Sequence, residues 1–194
     1  MDLLTGTFLV EAARTAIELW VRERKKLVLK NVPKKLKEKS GLFVSMHTWP
    51  EGELKGCIGY PYPTMPLSQA LIEAAIAATQ DPRFEPMRID EIGRMVIEIS
   101  VLTEPKLIKA KPQDYPKRIK IGRDGLIVKF GFNSGLLLPQ VAKEHGLDAE
   151  DFLIETCLKA GLPPTICKEV RTQVYTFQTE IFTEKQPGGL TEKL

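Results

Sequence analysis

The sequence predicts an α+β fold built mainly on antiparallel sheet and flanked by helices. Three observations carry the prediction. Residues Arg94–Leu102 alternate, with Met95, Ile97, Ile99 and Val101 on one face and Arg94, Val96, Glu98 and Ser100 on the other, as in a half-buried strand. Hairpin-like segments and helical stretches follow one another without regular strand–helix–strand units. The 194 residues, 43% hydrophobic and 27% charged, suffice for one large domain or two small lobes with a substantial core. No apolar run approaches the roughly 18 residues of a membrane span, and no heptad or Gly-X-Y repeat persists.

From Gly6 or Thr7 to about Lys30, Phe8, Ala12, Ile17, Leu19 and Val21 recur at roughly helical spacing, predicting an amphipathic helix that ends before Pro33. A short helical piece, Pro33–Lys39, closes at Gly41. Gly41–Trp49 and Leu54–Gly59 flank the turn-like Pro50-Glu51-Gly52-Glu53 and read as a β-hairpin. Pro61, Pro63 and Pro66 precede an Ala-rich, buried helix, Leu67–Gln80, which Asp81-Pro82-Arg83-Phe84-Glu85-Pro86 ends. After the Arg94–Leu102 strand, the Lys/Pro-rich passage Lys106–Lys117 reads as a long surface connection between lobes. Ile119–Ile121 and Leu126–Phe132 flank Gly122-Arg123-Asp124-Gly125 as a second hairpin; without a Lys-Ser/Thr ending and a following helix, that turn is no phosphate loop. Helices Pro139–His145 and Ala149–Ala160 are each closed by a glycine, with Asp148 as N-cap of the second. A last strand spans Val170–Phe182, and residues 183–194 should form a mobile tail.

The net charge of +3 is unevenly spread. Nine basic residues between Arg22 and Lys39 face only Glu23 and Glu38, so this segment carries +7 and the rest of the chain −4. Cations on the last turn of a helix satisfy its dipole, which is the plain reading of the run. Nucleic acid is the alternative partner, but the run contains no aromatic residue on which bases would stack. Three cysteines, Cys57, Cys157 and Cys167, and two histidines, His47 and His145, show neither zinc-site nor disulfide-framework spacing, so no metal and no cofactor is expected. Charged residues interrupt the N-terminal apolar stretch, which excludes a secretory leader there; the expected location is cytoplasmic, with reduced thiols.

Gly56-Cys57-Ile58-Gly59 is the most unusual motif, because glycine in a strand marks close approach by a ligand or by another backbone. Cys57 is thus a candidate nucleophile and His47 its candidate base, subject to hairpin register. A three-residue loop, Glu51–Glu53, sets His47 opposite Cys57. A loop of two or four residues sets Met46 there instead and turns His47 away. Arg83 offers a guanidinium for a carboxylate or phosphate, or else pairs with Asp81.

Five segments together, Leu54–Gly59, Asp81–Phe84, Ile97–Thr103, Ile121–Leu126 and Leu137–Ala142, resemble the AMMECR family, in order and across nearly the whole chain. Lys55 stands where the family's hallmark has arginine, which keeps the charge and loses the planar fork. The resemblance implies a single AMMECR-like domain over residues 1–194, with two closely associated lobes on antiparallel sheets, as in stand-alone archaeal proteins. It implies no established reaction, although related domains are fused to, or encoded beside, a Memo-type protein and a radical-SAM protein. The favoured function is a small-molecule-binding or catalytic cleft around the hairpin. Lys55, Gly56, Gly59 and Arg83 would bind the ligand, with Cys57 and His47 as catalytic candidates. A protein-interaction domain is the alternative, followed by a nucleic-acid binder through residues 22–39.

Overall fold

The first helix starts at Asp2, whose carboxylate accepts the Thr5 N–H at 2.8 Å, and stops at Arg24, which takes the left-handed conformation (φ 55°). It is shorter than the helix to Lys30 that residue spacing suggested. Beyond Arg24, Leu27, Leu29 and Val32 pack against the core from a non-helical segment, which ends in a single 3₁₀ turn, Lys34–Lys37. The structure, a computed structural model, describes residues 1–194. In chain order its elements are α1 (Leu3–Glu23), β1 (Gly41–Thr48), β2 (Leu54–Tyr60), α2 (Leu67–Ala78), β3 (Met95–Leu102), β4 (Lys106–Leu107), β5 (Gly125–Phe130), β6 (Asn133–Leu137), α3 (Pro139–Glu144), α4 (Ala149–Lys159), β7 (Gln173–Phe177), β8 (Thr179–Glu184) and β9 (Thr191–Lys193). The fold is α+β. None of the helices is long and apolar enough to cross a membrane.

The chain divides into two compact units, the first comprising Met1–Leu102 with Glu180–Leu194 and the second Thr103–Thr179. In the first, a five-stranded sheet runs β2-β1-β3-β8-β9. Leu42, Val44 and Met46 of β1 and Met95, Ile97, Ile99 and Val101 of β3 are buried in one core with the apolar faces of α1 and α2. The alternation of β3 is as its sequence demands.

The strand expected over Val170–Phe182 is two strands in two different sheets, β7 in the second unit and β8 in the first, separated at Gln178. Residues 183–194, expected as a mobile tail, instead complete β8 and supply β9, with Phe182 opposite Lys193 and Glu184 opposite Thr191. Buried charge fixes this return. Arg14 of α1 donates from Nε and Nη2 to the Glu184 carboxylate, both at 2.5 Å, and from Nη2 to the Met95 carbonyl at 2.6 Å. Glu184 also accepts the Ile97 N–H at 3.0 Å.

The second unit holds a four-stranded sheet, β4-β7-β5-β6. The hairpin here joins β5 to β6 through Gly131 and Phe132, not the expected Ile119–Ile121 to Leu126–Phe132. Asp124 is the reason. Its buried carboxylate accepts the Lys120 N–H at 2.9 Å and two bonds from Arg123, closing residues 120–124 into a turn of their own. Lys106–Lys117 is no connection between lobes, since it lies inside this unit and buries Tyr115, whose hydroxyl donates to the Thr172 carbonyl at 3.0 Å. Helix α4 begins as predicted, with Asp148 accepting the Glu150 and Asp151 N–H groups. Cys157 of α4 and Cys167 of the turn Pro164–Lys168 form a disulfide, against the expectation of reduced, unpaired thiols. The turn folds back onto α4 and brings their Cα atoms to 6.6 Å.

Candidate functional site

The hairpin around Cys57 is built in two steps. At its tip the Thr48 N–H donates to the Glu53 carbonyl and the Gly52 N–H to the Thr48 carbonyl, both at 2.8 Å, with Gly52 at φ 75°. These bonds enclose a four-residue loop, 49–52, and set His47 opposite Leu54. Lys55 is then an extra residue on β2, a bulge, after which Met46 faces Gly56, Ser45 faces Cys57 and Phe43 faces Gly59. Neither expected register is therefore the one formed. Continued without the bulge, the tip register would set Cys57 opposite Val44, on the core face; the added residue turns the thiol to the other face of the sheet.

Ser45 Oγ donates to Cys57 Sγ at 3.2 Å. Burial pushes the thiol pKa up, with the Ser45 hydrogen bond and the nearby Arg83 charge only partly opposing it. Cys57 is accordingly a protonated thiol at neutral pH, and it is partly accessible. Its backbone is held from outside the sheet. Strand β2 is an edge strand, and at Cys57 its outward polar groups are taken up: the N–H by Asp81 Oδ2 at 2.9 Å and the carbonyl by Arg83 Nη2 at 3.1 Å. Asp81 also accepts the Arg83 N–H at 3.1 Å and a bidentate pair from its Nε and Nη2 at 3.0 and 2.7 Å. The Arg83 hydrogen bonds hold this carboxyl, only 1% exposed, down to about 2. The Arg83 side chain remains 53% exposed and lies over the Phe84 ring.

The two glycines make room for the protein's own atoms. A Cβ on Gly56 would lie 2.3 Å from the Ala78 carbonyl oxygen at the end of α2, and one on Gly59 2.2 Å from the Leu42 carbonyl oxygen. Gly56→Ala is expected to cost about 1–3 kcal/mol in urea unfolding, since the obstacle is backbone and cannot rotate away. Lys55 is engaged by Glu91 at 2.9 Å, and His47 Nδ1 lies 3.4 Å from the Gly52 carbonyl oxygen. Of the predicted residues, then, Cys57 and Arg83 come together, while Lys55 and His47 take partners of their own. Ser45 was not foreseen, since only the bulge brings it opposite Cys57.

The AMMECR1 family model matches residues 10–182 of this chain. The chain belongs to the AMMECR1 family. It is 50% identical over 194 residues to protein MJ0810 of Methanocaldococcus jannaschii, covering 97% of this chain and 96% of that one. A Pyrococcus furiosus protein is 51% identical over 189 residues, covering 95% and 90% respectively. The crystal structure of the uncharacterised protein PH0010 from Pyrococcus horikoshii superimposes with a TM-score of 0.95 at 47% identity, covering all of this chain and 98% of that one. The AMMECR1 family thus accounts for the chain through both units, and these relatives' names carry no reaction.

Proposed function

We propose that the outer face of the β1–β2 hairpin binds a small anionic molecule, with the Arg83 guanidinium taking the anion and the Cys57 thiol lying against the ligand. The observation that carries this reading is the pairing of a half-exposed guanidinium with a partly accessible thiol on one backbone clamp, Arg83 Nη2 being 3.1 Å from the Cys57 carbonyl oxygen. Binding suits the site better than nucleophilic catalysis, because the thiol is raised and its hydrogen-bond partner is a hydroxyl rather than an imidazole.

Cys57 is the chain's only free cysteine, so iodoacetamide reports on this site alone. Its labelling rate should reach half-maximum above the ordinary thiol range of about 8.5. Phosphate, pyrophosphate or citrate at millimolar concentration should slow labelling of the wild type and lose that effect in Arg83→Gln. Metabolites extracted from the purified protein and read by mass spectrometry should differ between wild type and Cys57→Ala. Unchanged labelling with every anion, together with identical extracts, would discard the binding reading. The exposed Trp49 and Leu54 at the hairpin tip would then favour a protein-interaction surface.

A further inference from the structure

Residues 24–39 form a strap whose apolar side chains, Val28 excepted, pack against the first unit and whose cations are all exposed. Leu27, Leu29, Val32 and Leu36 pack against the core, whereas Arg22, Arg24, Lys25, Lys26, Lys30, Lys34, Lys35, Lys37 and Lys39 are all exposed. Arg24 reverses the chain at the end of α1, and the strap returns along that helix. Leu27–Lys30 line one shallow groove with Phe8, Glu11, Ala12 and Thr15 of α1, and Lys35 is near Asp2, whose carboxyl is lowered mainly by the Thr5 hydrogen bond and slightly by that lysine. The row of cations therefore extends along most of the 21 residues of α1, roughly 30 Å. Residues 25–32 make no backbone–backbone hydrogen bond.

The helix-dipole explanation of this charge does not apply, because only Arg22 stands in the last turn of α1. Nor is most of the charge neutralised within the protein. Lys25 pairs with Glu23, Lys26 pairs with Glu73, and Arg24 lies over the Trp20 ring. Arg22, Lys30, Lys34, Lys35, Lys37 and Lys39 form no salt bridge. A linear, unneutralised row on a supported rib matches a linear anion. The strap has no aromatic side chain for stacking on unpaired bases, and Val28, 79% exposed, is its only strongly exposed apolar side chain, too little for insertion into a lipid surface.

We propose that this strap binds double-stranded nucleic acid through its phosphates, without reading base sequence. At 3.4 Å per base pair its length spans about nine base pairs, and its five unpaired cations, together with Arg22 at the end of α1, set the number of phosphates that can be neutralised at about six. The strap lies on the helical side of the sheet, whereas Cys57 and Ser45 face the other side, so the two activities are separable.

Anisotropy of a fluorescein-labelled DNA duplex of about 20 base pairs, titrated at salt concentrations from about 50 to 300 mM, tests the proposal. Six phosphate contacts give a slope of log Kobs against log salt of about −5, at roughly −0.9 per contact. Lys34→Glu/Lys35→Glu/Lys37→Glu should flatten that slope by about 2–3 and weaken binding by more than about tenfold at 100 mM salt. The milder Lys30→Gln/Lys34→Gln/Lys39→Gln should act in the same direction, and it covers the case in which the first variant fails to fold. A control of equal net charge in the second unit, Lys109→Glu/Lys111→Glu/Lys120→Glu, should bind like the wild type. Equal weakening by control and strap variants would overturn the proposal by reducing the effect to net charge. A slope shallower than about −1 would also overturn it, as would binding to phosphatidylserine vesicles with the duplex ignored. Iodoacetamide labelling of Cys57 should be the same in all these variants, so the thiol site and the strap fail or survive independently.

Discussion

Glu184→Gln is expected to lower the unfolding free energy of the first unit by about 3–5 kcal/mol in urea, read by tryptophan fluorescence. Both tryptophans, Trp20 and Trp49, belong to this unit, so the probe reports on it directly. Glu184 is 4% exposed, and its carboxylate balances the Arg14 guanidinium while accepting the Ile97 N–H. Glutamine keeps an acceptor but removes the charge, which leaves Arg14 desolvated without a counterion. The half-exposed neighbour Glu18, 3.5 Å from Arg14, does not substitute for it, and Glu18→Gln should cost no more than about 0.5 kcal/mol. Arg14→Met/Glu184→Met should cost less than Glu184→Gln alone, because replacing both partners leaves no unpaired buried charge. A double variant weaker than the single one would mean that the pair itself, rather than the avoidance of a lone charge, holds β8 against α1 and β3.

Elements whose cause is local were legible in the sequence. The alternation of β3, the apolar surface of α2 and the Asp148 cap of α4 each follow from residues within a few positions. What escaped was decided at a distance. Arg, Lys and Leu after Glu23 are good helix formers, yet the helix stops because Leu27 and Leu29 find their place on the core from an extended chain. Val170–Phe182 reads as one strand, and only sheet membership divides it at Gln178. The disulfide joins a helix to a turn ten residues away, a separation with no sequence signature of its own.

The site was half legible for the same reason. Gly56, Gly59, Asp81 and Arg83 stand out in the sequence as motifs, and the resemblance to the AMMECR family rests partly on them. Their immediate role is packing and edge closure: each glycine admits a carbonyl, and the Asp81–Arg83 pair occupies the free edge of β2. The direction of the Cys57 side chain depends on two opposite corrections to register, a four-residue loop and a one-residue bulge. Parity arithmetic with a single loop length does not contain the second.

Asp81→Ala should be the most damaging change at the site, with an expected loss of about 3–4 kcal/mol in urea unfolding followed by the same fluorescence. One carboxylate accepts four hydrogen bonds, from the Cys57 and Arg83 N–H groups and from Arg83 Nε and Nη2. Truncation strands the Cys57 N–H on the strand edge and frees Arg83 from its bidentate hold. Because the carboxyl is held near 2 in the folded chain against 3.8 unperturbed, ionisation of Asp81 contributes about 2 kcal/mol to stability. That contribution is complete above about pH 4, where the unfolded chain is also ionised, and it disappears as the pH falls through about 2. Wild-type stability should therefore drop between pH 4 and 2, and the drop should be shallower by about 2 kcal/mol in Asp81→Ala. Parallel acid profiles for the two proteins would show that Asp81 is not the group that couples protons to this fold. In Asp81→Asn an acceptor for the Cys57 N–H survives while the ion pair is lost, so its stability should fall between the other two. If anion protection of Cys57 against iodoacetamide is lost in Asp81→Asn while the thiol still labels, Arg83 needs its buried carboxylate to stay in position. The motif would then serve ligand binding through the same bonds that close the sheet edge.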